Sequence, residues 1–177
     1  MRRLLLVAGV ALATAGEAAG QESPYMGYQG RGIKALSAEE VEGYLSGAGM
    51  GFALAAELNG YPGPKHVLEL ADSLDLDAGQ RARVSEIFEL MRGQALELGA
   101  GILEREQVLD SLFASHTIMA ISLAALTHEI GTLRGELRGV HLAAHLDTAA
   151  SLSSEQMRRY QILRGYGDTG GHRHRGH

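Results

Sequence analysis

The stretch VSEIFELMRGQALELGAGI, Val84 to Ile102, decides how this chain folds. Its apolar residues Val84, Phe88, Met91, Ala95, Leu98 and Ile102 recur at alternating intervals of four and three. That period of about 3.5 residues draws one apolar stripe along a helix and predicts a coiled-coil-like seam. Arg105 interrupts the stripe, and Leu109 and Leu112 resume it. After Ser115-His116-Thr117 the same alternation returns at Met119, Leu123, Leu126, Ile130, Leu133, Leu137, Val140 and Ala144. So short a break predicts that two long helices fold back as an antiparallel hairpin. A helix of about 35 residues reaches roughly 50 Å at 1.5 Å per residue. A rod of that shape cannot bury its own apolar surface, so a second copy of the chain, the preceding helix, or both should cover it.

Two similar phrases bracket this hairpin. Leu76-Asp77-Ala78-Gly79-Gln80 precedes it and Leu152-Ser153-Ser154-Glu155-Gln156 follows it. In each, a residue able to cap a helix (Asp77, Ser153) stands three places before a glutamine (Gln80, Gln156). That glutamine can reach back to the cap residue's N–H, and the leucine in front (Leu76, Leu152) is placed as a hydrophobic staple. The phrases therefore predict two helix starts, the second opening a short last helix over about residues 153–165.

Outward from there the chain changes character. Residues 166–177, YGDTGGHRHRGH, offer no apolar group to dock beyond Tyr166 and read as a disordered tail. Upstream, Ser37 and Glu40 form another capping box, which opens a helix predicted over 37–60 with Asn59-Gly60 as its stop. That helix would carry Gly43, Gly47, Gly49 and Gly51, each costing up to about 1 kcal/mol of helix propensity relative to alanine. Close approach to another helix, or local flexibility, would explain the loss. The corner Tyr61-Pro62-Gly63-Pro64-Lys65 follows, and Pro64 is suited to open a short helix to Ser73. Residues 21–36 have no period and read as a flexible leader.

The first 20 residues read as a secretory signal peptide, with basic Arg2 and Arg3, an apolar run from Leu4 to Ala13, and small residues after it. The apolar run is too short for a membrane span. Its removal would take Arg2, Arg3 and Glu17, leaving 14 basic and 20 acidic side chains and a net charge of −6 with histidine neutral. An exported, mildly acidic chain lacks the basic field that nucleic-acid binding requires. The 177 residues include no cysteine and no tryptophan, so disulfides and thiol chemistry are excluded. With no run of alternating β-branched residues, the expected class is all-α.

The two Leu-x-x-x-Gln phrases flanking a helical hairpin, behind a signal peptide, resemble the Spy/CpxP group of periplasmic proteins with paired LTxxQ motifs. That group has zinc-resistance-associated and periplasmic heavy-metal-sensor relatives. The resemblance covers about residues 64–165, and AHLDTAASLSSEQMRRY is its most specific piece. Asp77 and Ser153 stand where the motif has threonine. The resemblance implies a cradle-shaped antiparallel homodimer. It also implies ATP-independent binding of partly unfolded envelope proteins, or sensing of stress or metal together with a membrane sensor protein.

Candidate chemistry is confined to histidine and methionine. His141 and His145, four apart, share one helical face and form a possible bidentate arm for zinc, copper or nickel. Placed about 25 residues past the bend, they should lie opposite Met91, flanking the seam, with Glu89, Glu97 or Asp147 placed to add an oxygen. His172, His174 and His177 in the tail form a loose metal-binding tract through neutral imidazoles. His128 and Glu129 read as a solvated pair, His116 as a bend residue and His66 as a first-turn residue. Met91 and Met119 are candidate contacts for an unfolded client, since the thioether adapts to varied shapes. No nucleophile–base pair, paired carboxylates or phosphate loop stands out, so an enzyme is not expected and no cofactor is required. The expected function is an exported chaperone or envelope-stress adaptor. The alternatives are a heavy-metal sensor or resistance protein, and a structural adaptor of an envelope signalling protein.

Overall fold

The structure, a computed structural model, describes residues 23–166. The expected signal peptide and the tail histidines His172, His174 and His177 lie outside the described residues. Among the described residues there are six α-helices: α1 (Ala38–Ser46), α2 (Leu54–Glu57), α3 (Pro64–Glu69), α4 (Ala78–Ala114), α5 (Ala120–Ala150) and α6 (Ser154–Leu163). No strand occurs among the described residues, so the protein is all-α.

The hairpin is as the stripe predicts. Helix α4 has 37 residues and α5 has 31, and they pack along each other. At 1.5 Å per residue α4 is about 55 Å long. His116 makes the bend with a left-handed backbone, φ 57°. The buried stripe is shifted from the predicted one. On α4 it runs Val84, Ile87, Met91, Ala95, Gly99, Ile102 and Glu106, whereas Phe88 and Leu98 are only partly buried. The reason is that α4 is covered by α5 and also by α1 and α3. On α5 the expected seam residues Met119 and Leu123 are exposed, because the hairpin end has no third element over it. Burial begins at Leu126.

Two other expectations need correction. The glycine-rich segment 37–60 is not one helix. Helix α1 ends at Gly47, whose left-handed φ of 67° closes the last turn, and a loop with positive φ at Met50 and Gly51 leads into α2. Glycine here provides both the turn and the close approach. A Cβ on Gly47 would stand 3.4 Å from the Arg92 carbonyl oxygen of α4. Residues 21–36 are not a loose leader throughout. Leu36 is buried, Ile33 packs against the same cluster, and the Lys34 ammonium reaches the Asp110 carboxylate at 2.9 Å.

All three capping boxes form. In each the cap side chain accepts from the N–H three residues on, and the reciprocal bond is present. The two copies of the repeated phrase also meet in space. Gln80 Nε2 donates to Gln156 Oε1 and Gln156 Nε2 donates to Gln80 Oε1, both at 2.9 Å. The remaining amide hydrogens go to the Ser151 and Leu74 carbonyls. Leu76 is buried in the same cluster as Val67, Leu74, Val84 and Tyr160, and Leu152 packs against it. The repeat thus pins the start of α6 to the start of α4, at the base of the hairpin.

Candidate functional site

One cleft of about 530 Å³ opens where the glycine loop, α2 and the α3 start lean on the hairpin. Its walls include Met50 and Gly51 from the loop and Phe88, Met91 and Arg92 from α4. His141 and His145 come from α5, and Lys65 and Arg164 from the flanking helices. The helical period brings this about. Positions 141, 144, 145 and 148 of α5 are one buried face, and Met91 packs opposite Ala144. The expected register of Met91 against the 141–145 turn is therefore observed.

The histidines sit differently from expectation. They are not open on the hairpin's flank but buried, His141 being 3 % exposed and His145 9 %. The glycine loop and α2, which the sequence presented as a helix, fold over that part of α5 and take it out of water. Phe52 stacks on the His141 ring, centroids 5.8 Å apart. His141 Nε2 has no hydrogen-bond partner in the protein. Burial, with the neighbouring His145 as a second cause, holds the His141 pKa below the usual imidazole value. His145 Nδ1 lies 2.8 Å from the Tyr61 carbonyl oxygen. A carbonyl only accepts, so Nδ1 carries the proton and Nε2 the lone pair.

Glu89, Glu97 and Asp147, the carboxylates placed near the pair by sequence, are exposed and do not line the cleft. The carboxylate that does is Glu57 of α2, buried beside His145 with Oε2 3.8 Å from Nδ1. Its oxygens are already engaged. The Tyr160 hydroxyl donates to Oε1 at 2.7 Å and the Gly63 N–H to Oε2 at 3.2 Å. Burial and the Glu57 carboxylate push the Tyr160 phenol far above its usual pKa. Arg164 Nε stands 3.4 Å from Glu57 Oε1 without making a hydrogen bond. Among the described residues no three histidine or carboxylate groups converge on one point, so the pair alone supplies two nitrogens.

Elsewhere the other histidines follow expectation. His128 and Glu129 are exposed, with Glu129 accepting from Arg105 of the facing helix. His66 lies 2.8 Å from Glu69. Met91 is 9 % exposed and forms cleft floor and core, not an open client contact, because α5 and the loop close over it. Met119 is 64 % exposed, as a contact residue needs to be. Glu57, Phe52, Tyr160 and Arg164 were not singled out by sequence. Nothing in their spacing marks them, since they come together only through the corner at residues 61–64.

The fold and site define an all-helical hairpin protein with a capped base, a lined cleft and an open end. No family model, no curated protein and no solved structure matches the chain.

Proposed function

We propose that the chain is an exported, ATP-independent chaperone or envelope-stress adaptor that docks partly unfolded proteins on the open end of its hairpin. One observation carries this reading. Phe113, Met119, Ile121 and Leu123, close in sequence on either side of the bend, are exposed, Ile121 at 76 %. Apolar surface left in water disfavours the isolated state by about 25 cal/mol per Å². Several such side chains at one end of a fold offer apolar area to a partner. The paired capping phrases and the hairpin support the resemblance to the Spy/CpxP group, and a homodimer would cover further apolar surface such as Leu90 and Leu146.

The test is suppression of client aggregation by protein ending at Gly165. Met119→Ser with Ile121→Ser should abolish protection while the helical circular dichroism stays unchanged. Equal protection by the doubly substituted protein, or none by either, would remove the reading.

A second reading, binding of zinc, copper or nickel in a sensor or resistance role, draws support from the His141–His145 pair with its free Nε2 atoms. Calorimetry on the full chain, the chain ending at Gly165 and His141→Ala/His145→Ala separates helix from tail. Heat lost only with the tail would exclude the helical pair.

A further inference from the structure

The cleft carries a conclusion that depends on neither reading above. Three features of it bear on a ligand. First, its charge is unbalanced. Lys65, Arg92 and Arg164 line it against the single carboxylate of Glu57, whose oxygens already accept from Tyr160 and Gly63. Lys65 and Arg92 have only long contacts of 4.0 Å, to Glu69 and Glu89. Such a rim favours an anion.

Second, polar groups in the wall lack partners. His141 is 97 % buried yet its Nε2 is unpaired, and the Arg164 Nε–H has no acceptor. A buried polar group without a partner costs about 1–3 kcal/mol, so an unpaired imidazole in a cleft wall points to a group that completes it from outside. The backbone N–H groups of Gly49, Met50 and Gly51 are exposed and make no bond among the described residues, so they are free to donate. Third, part of the wall is apolar, with Phe88, Met91, Met50 and Leu54. A volume of about 530 Å³ lies within the range of small-molecule sites, about 300–1,000 Å³.

We propose that this cleft binds a small amphipathic carboxylate. Its apolar body lies over Met91 and Phe88, and its carboxylate accepts hydrogen bonds from the basic rim and from His141. The glycine loop forms one wall of the site. The Met50 thioether lies over Gly43, where a Cβ would fall 2.1 Å from its Sδ.

The experiment uses the full chain with carbon-13 in its methionine methyl groups. Octanoate is the probe, with octanol and octylamine of the same chain length as controls. The expected result is saturable shifts of Met50 and Met91 with octanoate, at least tenfold weaker binding of octanol, and none of octylamine. Arg92→Gln with Lys65→Gln, two exposed changes that leave the core intact, should weaken octanoate at least tenfold. His141→Gln should weaken it as well. Met119 at the hairpin end is the internal control and should not move. Equal affinity for octanoate and octanol would overturn the proposal. So would shifts confined to Met119, no saturable shift at all, or Zn²⁺ moving Met91 where octanoate does not.

Discussion

The glutamine pair at the base of the hairpin should be worth more together than apart. Replacing Gln80 by leucine keeps the volume but removes the amide. It breaks the bond from the Asp77 N–H at 3.2 Å, the donation to the Ser151 carbonyl at 3.0 Å and both 2.9 Å bonds to Gln156. At a net value of about 0.5–1.5 kcal/mol each, discounted because the site is only half-buried, the single change should cost about 2–3 kcal/mol. Gln156→Leu should cost about the same, since it loses the Ser153 N–H, the Leu74 carbonyl and the same two shared bonds. The double variant loses the shared bonds only once. It should therefore fall short of the sum by about 1–2 kcal/mol, whereas independent sites add within about 0.5 kcal/mol. Urea unfolding followed by circular dichroism at 222 nm measures all four corners of the cycle. A coupling below about 0.5 kcal/mol would refute the view that the repeated phrase is one paired device.

Further outcomes follow from other contacts. Gly99→Ala should destabilise by about 1–3 kcal/mol, because its Cβ would stand 2.5 Å from the Tyr44 carbonyl oxygen and α1 would have to move. Gly135→Ala, in open space on α5, should instead stabilise by up to about 1 kcal/mol, both being read by denaturant midpoint. His141 has its folded pKa lowered by burial, so the unfolded chain binds its proton first. Stability should be intact above about pH 6.5 and fall as the pH drops below it, and His141→Gln should flatten that part of the profile of stability against pH. Arg134→Met leaves the buried Glu106 carboxylate without its 2.9 Å partner, and should cost about 1–3 kcal/mol given that Arg134 is itself half in water. Arg158→Met, which frees only the exposed Glu155, should cost less than about 0.5 kcal/mol in the same denaturant assay.

The hairpin was legible because its cause is local: one apolar period sustained along each helix and a break too short for anything but a reversal. The three boxes were legible for the same reason, as each is a four-residue matter. What the period could not supply was the number of faces covered. Phe88 and Ile87 both satisfy an apolar stripe; Ile87 is the one buried against Ala144 of α5, and the arrival of α1 puts Tyr44 on Gly99. The glycine run illustrates the same limit. Glycine at 43, 47, 49 and 51 is compatible with a helix that approaches another closely or with a turn, and the left-handed φ at Gly47 decides for the turn. The site suffered most. His141 and His145 were identifiable as a pair from their spacing, but their burial depends on a loop folding over them. Glu57 joins them only through the proline corner.

The two ends of the molecule are held by different means, and this difference is what the proposed function requires. At the base, the glutamine pair, the Tyr160–Glu57 bond and the cluster around Val67 and Leu74 tie α2, α3 and α6 to the hairpin. No residue between Leu103 and Leu133 belongs to any of the three core clusters. Beyond that level the helices are joined by ion pairs, Arg105–Glu129 and Arg134–Glu106, and by the few side chains around Leu126 and Ile130. Regions with few buried apolar contacts open at lower free energy than the core. Amide hydrogen exchange should therefore show residues 108–125 exchanging through local opening, and residues 84–99 and 137–148 through global unfolding. An end that is both apolar and loosely held can reshape around an irregular segment, while the base keeps the cleft and its unpaired groups fixed. Equal protection along both helices would contradict this division, and a rigid end would have to bind one fixed shape.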